Sequence, residues 1–231
     1  MLKLYIGNKN YSSWSMRPWV LMEQAGIEFE EVMVRFDSFD EGSKFKNAAQ
    51  AVNPVGKVPV LVDDSYAQDL AIWDTLAISE YVAEKYPQKN LWPQDPKARA
   101  RARSVCAEMH SGFTGLRGNC PMNIEAALPE VGQLIWRDKT AVRADVARIV
   151  DMWSGLLAQH GGPMLFGEFT IADAYFAPVC MRLSTYALPV PGLITAYIQR
   201  VQNLAGVKAW IDGANAEKDF LDFEEPYRLG R

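Results

Sequence analysis

Asn8-Lys9-Asn10-Tyr11-Ser12-Ser13-Trp14-Ser15-Met16-Arg17-Pro18-Trp19 is the stretch on which the reading of this chain turns. Ahead of it, Leu2-Lys3-Leu4-Tyr5-Ile6-Gly7 alternates with a period of two, which predicts a strand. Behind it, Trp19-Val20-Leu21-Met22-Glu23-Gln24-Ala25 has helical spacing, and Gly26 supplies a stop. A turn rich in Asn and Ser therefore delivers hydroxyls to the start of a helix. Unpaired backbone N–H groups and the positive end of the helix dipole favour negative charge at that point. A serine there either caps the helix or donates a hydrogen bond to an anion resting on it.

Working outward, Phe29-Glu30-Glu31-Val32-Met33-Val34-Arg35 alternates and completes a βαβ unit, which implies a parallel strand pair. Residues 36–52 are polar and weakly helical. In Asn53-Pro54-Val55-Gly56-Lys57-Val58-Pro59-Val60-Leu61-Val62, a turn leads into a β-branched strand. Proline at a strand entrance cannot donate to a ladder, so Val58-Pro59 is either an edge or a cis bond presenting the Val58 backbone to a ligand. Asp63-Asp64-Ser65 forms a turn, and Tyr66 to Trp73 forms the return strand of a hairpin. Asp74-Thr75 then opens a helix that Pro87 ends. These two residues read as a helix cap. Alternatively, Asp74 takes an ammonium group, while Thr75 and its N–H take a carboxylate.

From Pro87 to Pro96 the composition is that of a linker. Beyond it every pattern is helical: one long helix over 97–118, another over about 130–158, and two more over about 191–203 and 206–214. Thr170 and Asp173 have the spacing of a capping box, and that structural role outweighs an acid-catalyst role for Asp173. The expected domains are 1–86 (thioredoxin-like α/β), a linker over 87–96, and 97–231 (all-α).

Composition excludes several function classes. A net charge of −4, without blocks of like charge, gives no footprint for nucleic acid. Lys97, Arg99, Arg101 and Arg103 alternate with small residues and spread around a solvated helix face. No apolar run reaches the roughly 18–20 residues of a membrane span. Met1 leads directly into a strand, without a signal-peptide pattern. Cys106, Cys120 and Cys180 form no CxxC and read as reduced thiols, so a cytoplasmic location is expected. His110 and His160 lie far apart in sequence, so no metal site is expected.

Taken together, the opening β-turn-α unit, Val58-Pro59, Asp74-Thr75-Leu76-Ala77-Ile78 and Thr170-Ile171-Ala172-Asp173 resemble the soluble glutathione transferase superfamily in order and spacing. Within it, Ser12-Ser13-Trp14-Ser15-Met16-Arg17 is similar to the Ser-Ser-Cys-Ser-Trp-Arg motif of the zeta class, which includes maleylacetoacetate isomerases. Pro96 to Cys120 also resembles the corresponding zeta helix. Trp14 stands in place of the zeta cysteine, Asp74 where Glu or Gln is usual, and Arg117 where the zeta helix has glutamine.

The resemblance implies glutathione as co-substrate, a small electrophilic second substrate and a homodimer. It also implies Ser12 as principal hydroxyl donor to the thiolate, with Ser13 one position away and Tyr5 as the rival donor of other classes. Val58 and Pro59 would pair with the glutathione backbone. Asp74 and Thr75 would hold its γ-glutamyl end, and Lys44 and Lys57 its glycine carboxylate. Trp14, His110, Thr114 and Arg117 would face the second substrate. Three functions are compatible: conjugation or displacement on an electrophile, cis–trans isomerisation of the maleylacetoacetate or maleylpyruvate type, and binding without turnover.

Overall fold

The computed structural model describes residues 1–230. Strand β1 (Leu2–Ile6) buries every second residue, Leu2, Leu4 and Ile6, as its alternation requires. It leads through the Asn/Ser turn into α1 (Ser13–Gln24) and then β2 (Glu30–Met33), which pairs with β1 in parallel. A short helix, α2 (Lys44–Gln50), precedes β3 (Val60–Asp63) and β4 (Leu70–Trp73), and α3 (Thr75–Lys85) closes the unit. The sheet order is β2-β1-β3-β4, with β3 antiparallel to both neighbours. Val58-Pro59 is cis, one of the two alternatives open at this position.

Strands are shorter than the alternation suggests. The expected strand from Tyr66 begins only at Leu70, because residues 64–69 form the turn. Likewise, Phe29 and Arg35 fall outside β2.

The helical half contains α4 (Pro96–Ser111), α5 (Thr114–Asn119), α6 (Pro129–Asp138), α7 (Thr140–His160), α8 (Ile171–Thr185), α9 (Gly192–Gln202) and α10 (Ala205–Glu217). The single helix expected over 97–118 is broken at Gly112 and Phe113. Phe113 adopts a left-handed conformation with φ of 54°, and a Cβ on Gly112 would sit 2.7 Å from the Glu108 carbonyl oxygen. That break turns α5 and Arg117 toward the α/β domain. The helix expected over 130–158 similarly divides at Lys139, which is extended.

Helix α8 is the axis of the molecule, with every residue except Ser184 buried. The Thr170–Asp173 capping box forms as expected. Asp173 accepts from the Thr170 N–H at 2.9 Å, the Leu165 N–H at 3.1 Å and the Tyr197 hydroxyl at 2.9 Å. One apolar cluster runs from Leu4, Ile6 and Val20 through Ile171 and Phe176 to Trp210, so the two halves share a core. At about 1.5–3 kcal/mol per large buried apolar side chain, this shared core holds the two halves together. Among the described residues, no helix is long and apolar enough to cross a membrane.

Candidate functional site

Helix α1 begins beneath the seam between the two halves. No side chain caps it: Ser12, at the capping position, donates instead to the Ser15 hydroxyl at 2.7 Å. Ser15 in turn accepts from the Gly7 N–H at 3.1 Å, which fixes the turn. Ser13 is arranged differently. Its oxygen accepts from the Arg182 guanidinium at 3.1 Å, and its backbone carbonyl accepts from Arg17 at 2.8 Å. The Ser13 O–H therefore remains free to donate, with a cation behind the oxygen.

Three guanidinium groups converge on this point. Arg17 is buried and also donates to the Tyr175 carbonyl at 3.0 Å; burial pulls its pKa down to about 9. Arg182 is buried too, donating to the Cys120 carbonyl, and burial lowers its pKa to about 10. Arg117 from α5 is partly buried, which again lowers its pKa. Trp14 lies between Arg17 and Arg117, whose guanidinium carbons stand 4.1 and 4.8 Å from its ring centroids. Among the described residues, none of the three has a carboxylate within ion-pair distance, so the region is strongly electropositive.

Three contiguous cavities open here. The first, of about 480 Å³, is lined by Ser12, Ser13, Trp14, Lys57, Val58 and Arg117, with Lys46, Arg182 and Glu224 among its other walls. A second, of about 490 Å³, is lined by Val58, Pro59, Asp74, Thr75, His110 and Arg117, and it shares Trp14 and Lys57 with the first. Thr114 lines a third, of about 320 Å³, together with Ser13, Trp14, Arg117 and Arg182. Asp74 caps α3 by accepting from the Leu76 N–H at 2.8 Å, while Thr75 is buried with its hydroxyl 2.7 Å from that of Tyr175. His110 links both, with Nδ1 2.8 Å from the Tyr175 hydroxyl and Nε2 3.3 Å from the Asp74 carboxylate.

Two of the residues singled out in the sequence lie elsewhere. Lys44 and Tyr5 line a separate depression beside Val32. At about 100° per residue, two positions along α2 reach the other side of the helix, which is why Lys46 faces the first cavity and Lys44 does not. Arg182, Lys46, Tyr175 and Glu224 escaped the sequence reading. A signal existed for Arg182 alone: a single charge inside the apolar run Ala177-Pro178-Val179-Cys180-Met181-Arg182-Leu183 has to find partners in the interior. Among the described residues no cluster could hold a metal ion.

The α/β unit with its cis proline, the helical domain packed on it and the cleft between them define a thioredoxin-like transferase architecture. The glutathione S-transferase N-terminal domain model matches residues 11–85, and the C-terminal domain model matches residues 96–213. The chain belongs to the glutathione S-transferase family. It is 36% identical to maleylacetoacetate isomerase of Pseudomonas aeruginosa over 88% of this chain and 91% of that one. Against the glutathione S-transferase GstB of Escherichia coli the identity is 30%, over 85% and 92%. A crystal structure of a glutathione transferase homologue from Sulfitobacter, with bound glutathione, superposes with a TM-score of 0.66 at 28% identity, covering 92% and 97%.

Proposed function

We propose that this chain is a glutathione transferase that activates the thiol with a serine hydroxyl at the start of α1 and directs it at a small electrophile bearing a carboxylate. The observation that carries the reading is the Ser13 hydroxyl, unengaged as a donor and backed by Arg182 at 3.1 Å in a cleft with positive walls. A free thiol has a pKa of about 8.5, and lowering it by about two units needs roughly 2.7 kcal/mol. A hydrogen bond to a charged acceptor contributes about 1.5–3 kcal/mol, and a helix N-terminus adds up to about 2. Those two contributions suffice without a general base. Ser13 is favoured over Ser12 as principal donor because Ser12 already donates to Ser15.

In this reading Val58 pairs with the glutathione backbone, with Pro59 beside it. Asp74 and Thr75 receive the γ-glutamyl end, and Lys57 with Lys46 receives the glycine carboxylate. Trp14, His110, Thr114 and Arg117 wall the second-substrate space. Isomerisation is the second reading, favoured by the Pseudomonas relative and by the cationic walls. There the thiolate adds to a cis double bond, the resulting single bond rotates, and the thiolate leaves again.

The proposed boundaries are 1–86 and 97–231, joined by 87–96. A homodimer is proposed from the family resemblance, and exposed Tyr66 and Leu70 leave apolar surface beside β4. A cytoplasmic location accords with three free, buried cysteines. Titration calorimetry with reduced glutathione tests the reading, together with ultraviolet titration of the bound thiol. Micromolar to millimolar binding with a depressed thiol pKa is expected; no binding at about 10 mM overturns it.

A further inference from the structure

After α10 the chain crosses back over the cleft as a strap, and its attachments are specific. Asn8 donates to the Asp219 carboxylate at 2.6 Å, and the Tyr11 hydroxyl donates to Glu225 at 2.7 Å. Glu225 is buried, and Asn123 and Arg228 each donate to it at 2.8 Å. Phe223 packs edge-on against Phe39 at 5.2 Å, and the Tyr227 hydroxyl donates to the Asn119 carbonyl at 2.7 Å. The Asn8 and Tyr11 contacts pin the strap to the turn that carries Ser12 and Ser13, and the others tie it to Phe39, Asn119 and Asn123.

One strap side chain enters the cavity. Glu224 shares the wall of the 480 Å³ space with Ser13 and Arg182. Among the described residues its carboxylate makes no hydrogen bond and no ion pair, unlike its neighbour Glu225. Glu224 is half-buried, so its carboxylate is offered to whatever fills the cavity rather than to a protein partner.

We propose that Glu224 is a specificity-determining residue, a negative wall facing Arg182 that admits electrophiles with one carboxylate and rejects those with two. The inference rests on the glutathione transferase reading for the identity of the cavity. A substrate carboxylate settles on Arg182 and Arg117. The opposite end of the same molecule then meets Glu224, where a second carboxylate is repelled and an uncharged group is tolerated. This sets the substrate class apart from the dicarboxylates of the isomerase reading.

Burial raises the pKa of Glu224; Arg182 opposes that rise, and the neighbouring Glu225 adds to it. The charged and titratable groups around the same space are Arg182 from α8, Arg117 from α5, Lys46 from α2, and Lys57 and Tyr11 from loops. The neighbouring Glu225 is held ionised, because the hydrogen bonds from Arg228, Tyr11 and Asn123 outweigh its burial.

The test uses two ligands with one skeleton, fumarate with two carboxylates and crotonate with a methyl in place of one. Binding to the intact protein is followed by ligand-observed NMR without glutathione. Wild type should bind crotonate more tightly than fumarate. Glu224→Gln should tighten fumarate about tenfold and leave crotonate within about twofold, while Glu224→Asp keeps the wild-type ratio.

Equal binding of the two acids by wild type, no binding of crotonate, or an unchanged ratio in Glu224→Gln each overturns the proposal. A parallel glutathione titration separates the two ideas. Loss of glutathione binding defeats the transferase reading, whereas the fumarate-to-crotonate ratio alone decides the role of Glu224.

Discussion

Arg182 and Ser13, 169 residues apart in sequence, meet through a 3.1 Å hydrogen bond from the guanidinium to the serine oxygen. The bond joins the central helix of one domain to the first helical residue of the other. It also excludes one direction for the serine hydroxyl, the one toward Arg182. With a buried cation donating to its oxygen, the Ser13 proton is turned away from Arg182 and is available to a group in the cleft that Ser13 lines. A hydroxyl polarised in this way is a better donor, because successive hydrogen bonds strengthen one another in a low-dielectric setting.

The first expected outcome concerns the two serines. Ser13→Ala should raise the pKa of bound glutathione by about one to two units, the equivalent of about 1.5–3 kcal/mol. Ser12→Ala should raise it less, because that hydroxyl already donates to Ser15 at 2.7 Å. Tyr5→Phe should leave it unchanged, since Tyr5 lines a different depression. Ultraviolet titration of the thiolate in the binary complex distinguishes the three. A large shift in Tyr5→Phe would sink the serine mechanism.

Arg182→Gln should raise the same pKa, by about one unit. If Arg182 acts through the Ser13 hydroxyl, the double variant should shift less than the sum of the single shifts. Full additivity would mean that the cation acts on the thiolate directly, without the serine. Thermal unfolding should accompany the titration, because Arg182 also holds the Cys120 carbonyl.

Much of this fold was legible in sequence because its signals are local. The alternation in β1, the Thr170–Asp173 box and the proline at 59 each depend on residues within a few positions. The break between α4 and α5 was not legible, since Gly112 and Phe113 are single residues whose conformation is set by close packing. The positions of Lys44 and Lys46 depend on the rotation of a seven-residue helix with no strong periodicity to fix it. Glu224 was out of reach altogether, because its place in the cavity follows from a strap held by Tyr11 and Asn123 far away in sequence.

A further outcome concerns stability and pH. The Asp63 side chain is buried, 2.5 Å from the Lys85 ammonium and 2.5 Å from the Tyr81 hydroxyl. Burial alone would raise its pKa, but the hydrogen bonds from Lys85 and Tyr81 outweigh it and hold the carboxyl well below the usual range. A depressed folded-state pKa stabilises the protein above the unfolded value of about 3.9, and this contribution is lost as pH falls through the folded value. Asp63→Asn should therefore cost about 1.5–3 kcal/mol at neutral pH, because the amide keeps one acceptor oxygen but gives the Lys85 ammonium no counter-charge. Denaturant unfolding should show the gap between variant and wild type closing in strong acid. A gap that is constant with pH would assign the effect to packing instead.

The last outcome concerns Tyr175, whose hydroxyl lies 2.7 Å from the Thr75 hydroxyl and 2.8 Å from His110 Nδ1. Through these contacts, α8 and α4 of the helical domain hold the start of α3, where the γ-glutamyl end of glutathione is proposed to bind. Tyr175→Phe keeps the buried ring and removes only the hydroxyl. Thr75 and His110 then lose a shared partner, at about 0.5–1.5 kcal/mol for each bond. If the network positions the binding residues, the KM for glutathione should rise about three- to tenfold while kcat stays within about twofold. That pattern marks the loss of binding felt equally by ground and transition states. The bound-thiol pKa should not move, because the hydroxyl is directed at Thr75 and His110 rather than at Ser13. A fall in kcat with unchanged KM would overturn this assignment and place Tyr175 in the chemical step. His110→Gln separates the two arms of the network: a smaller rise in KM than in Tyr175→Phe is expected if Thr75 is the more important partner.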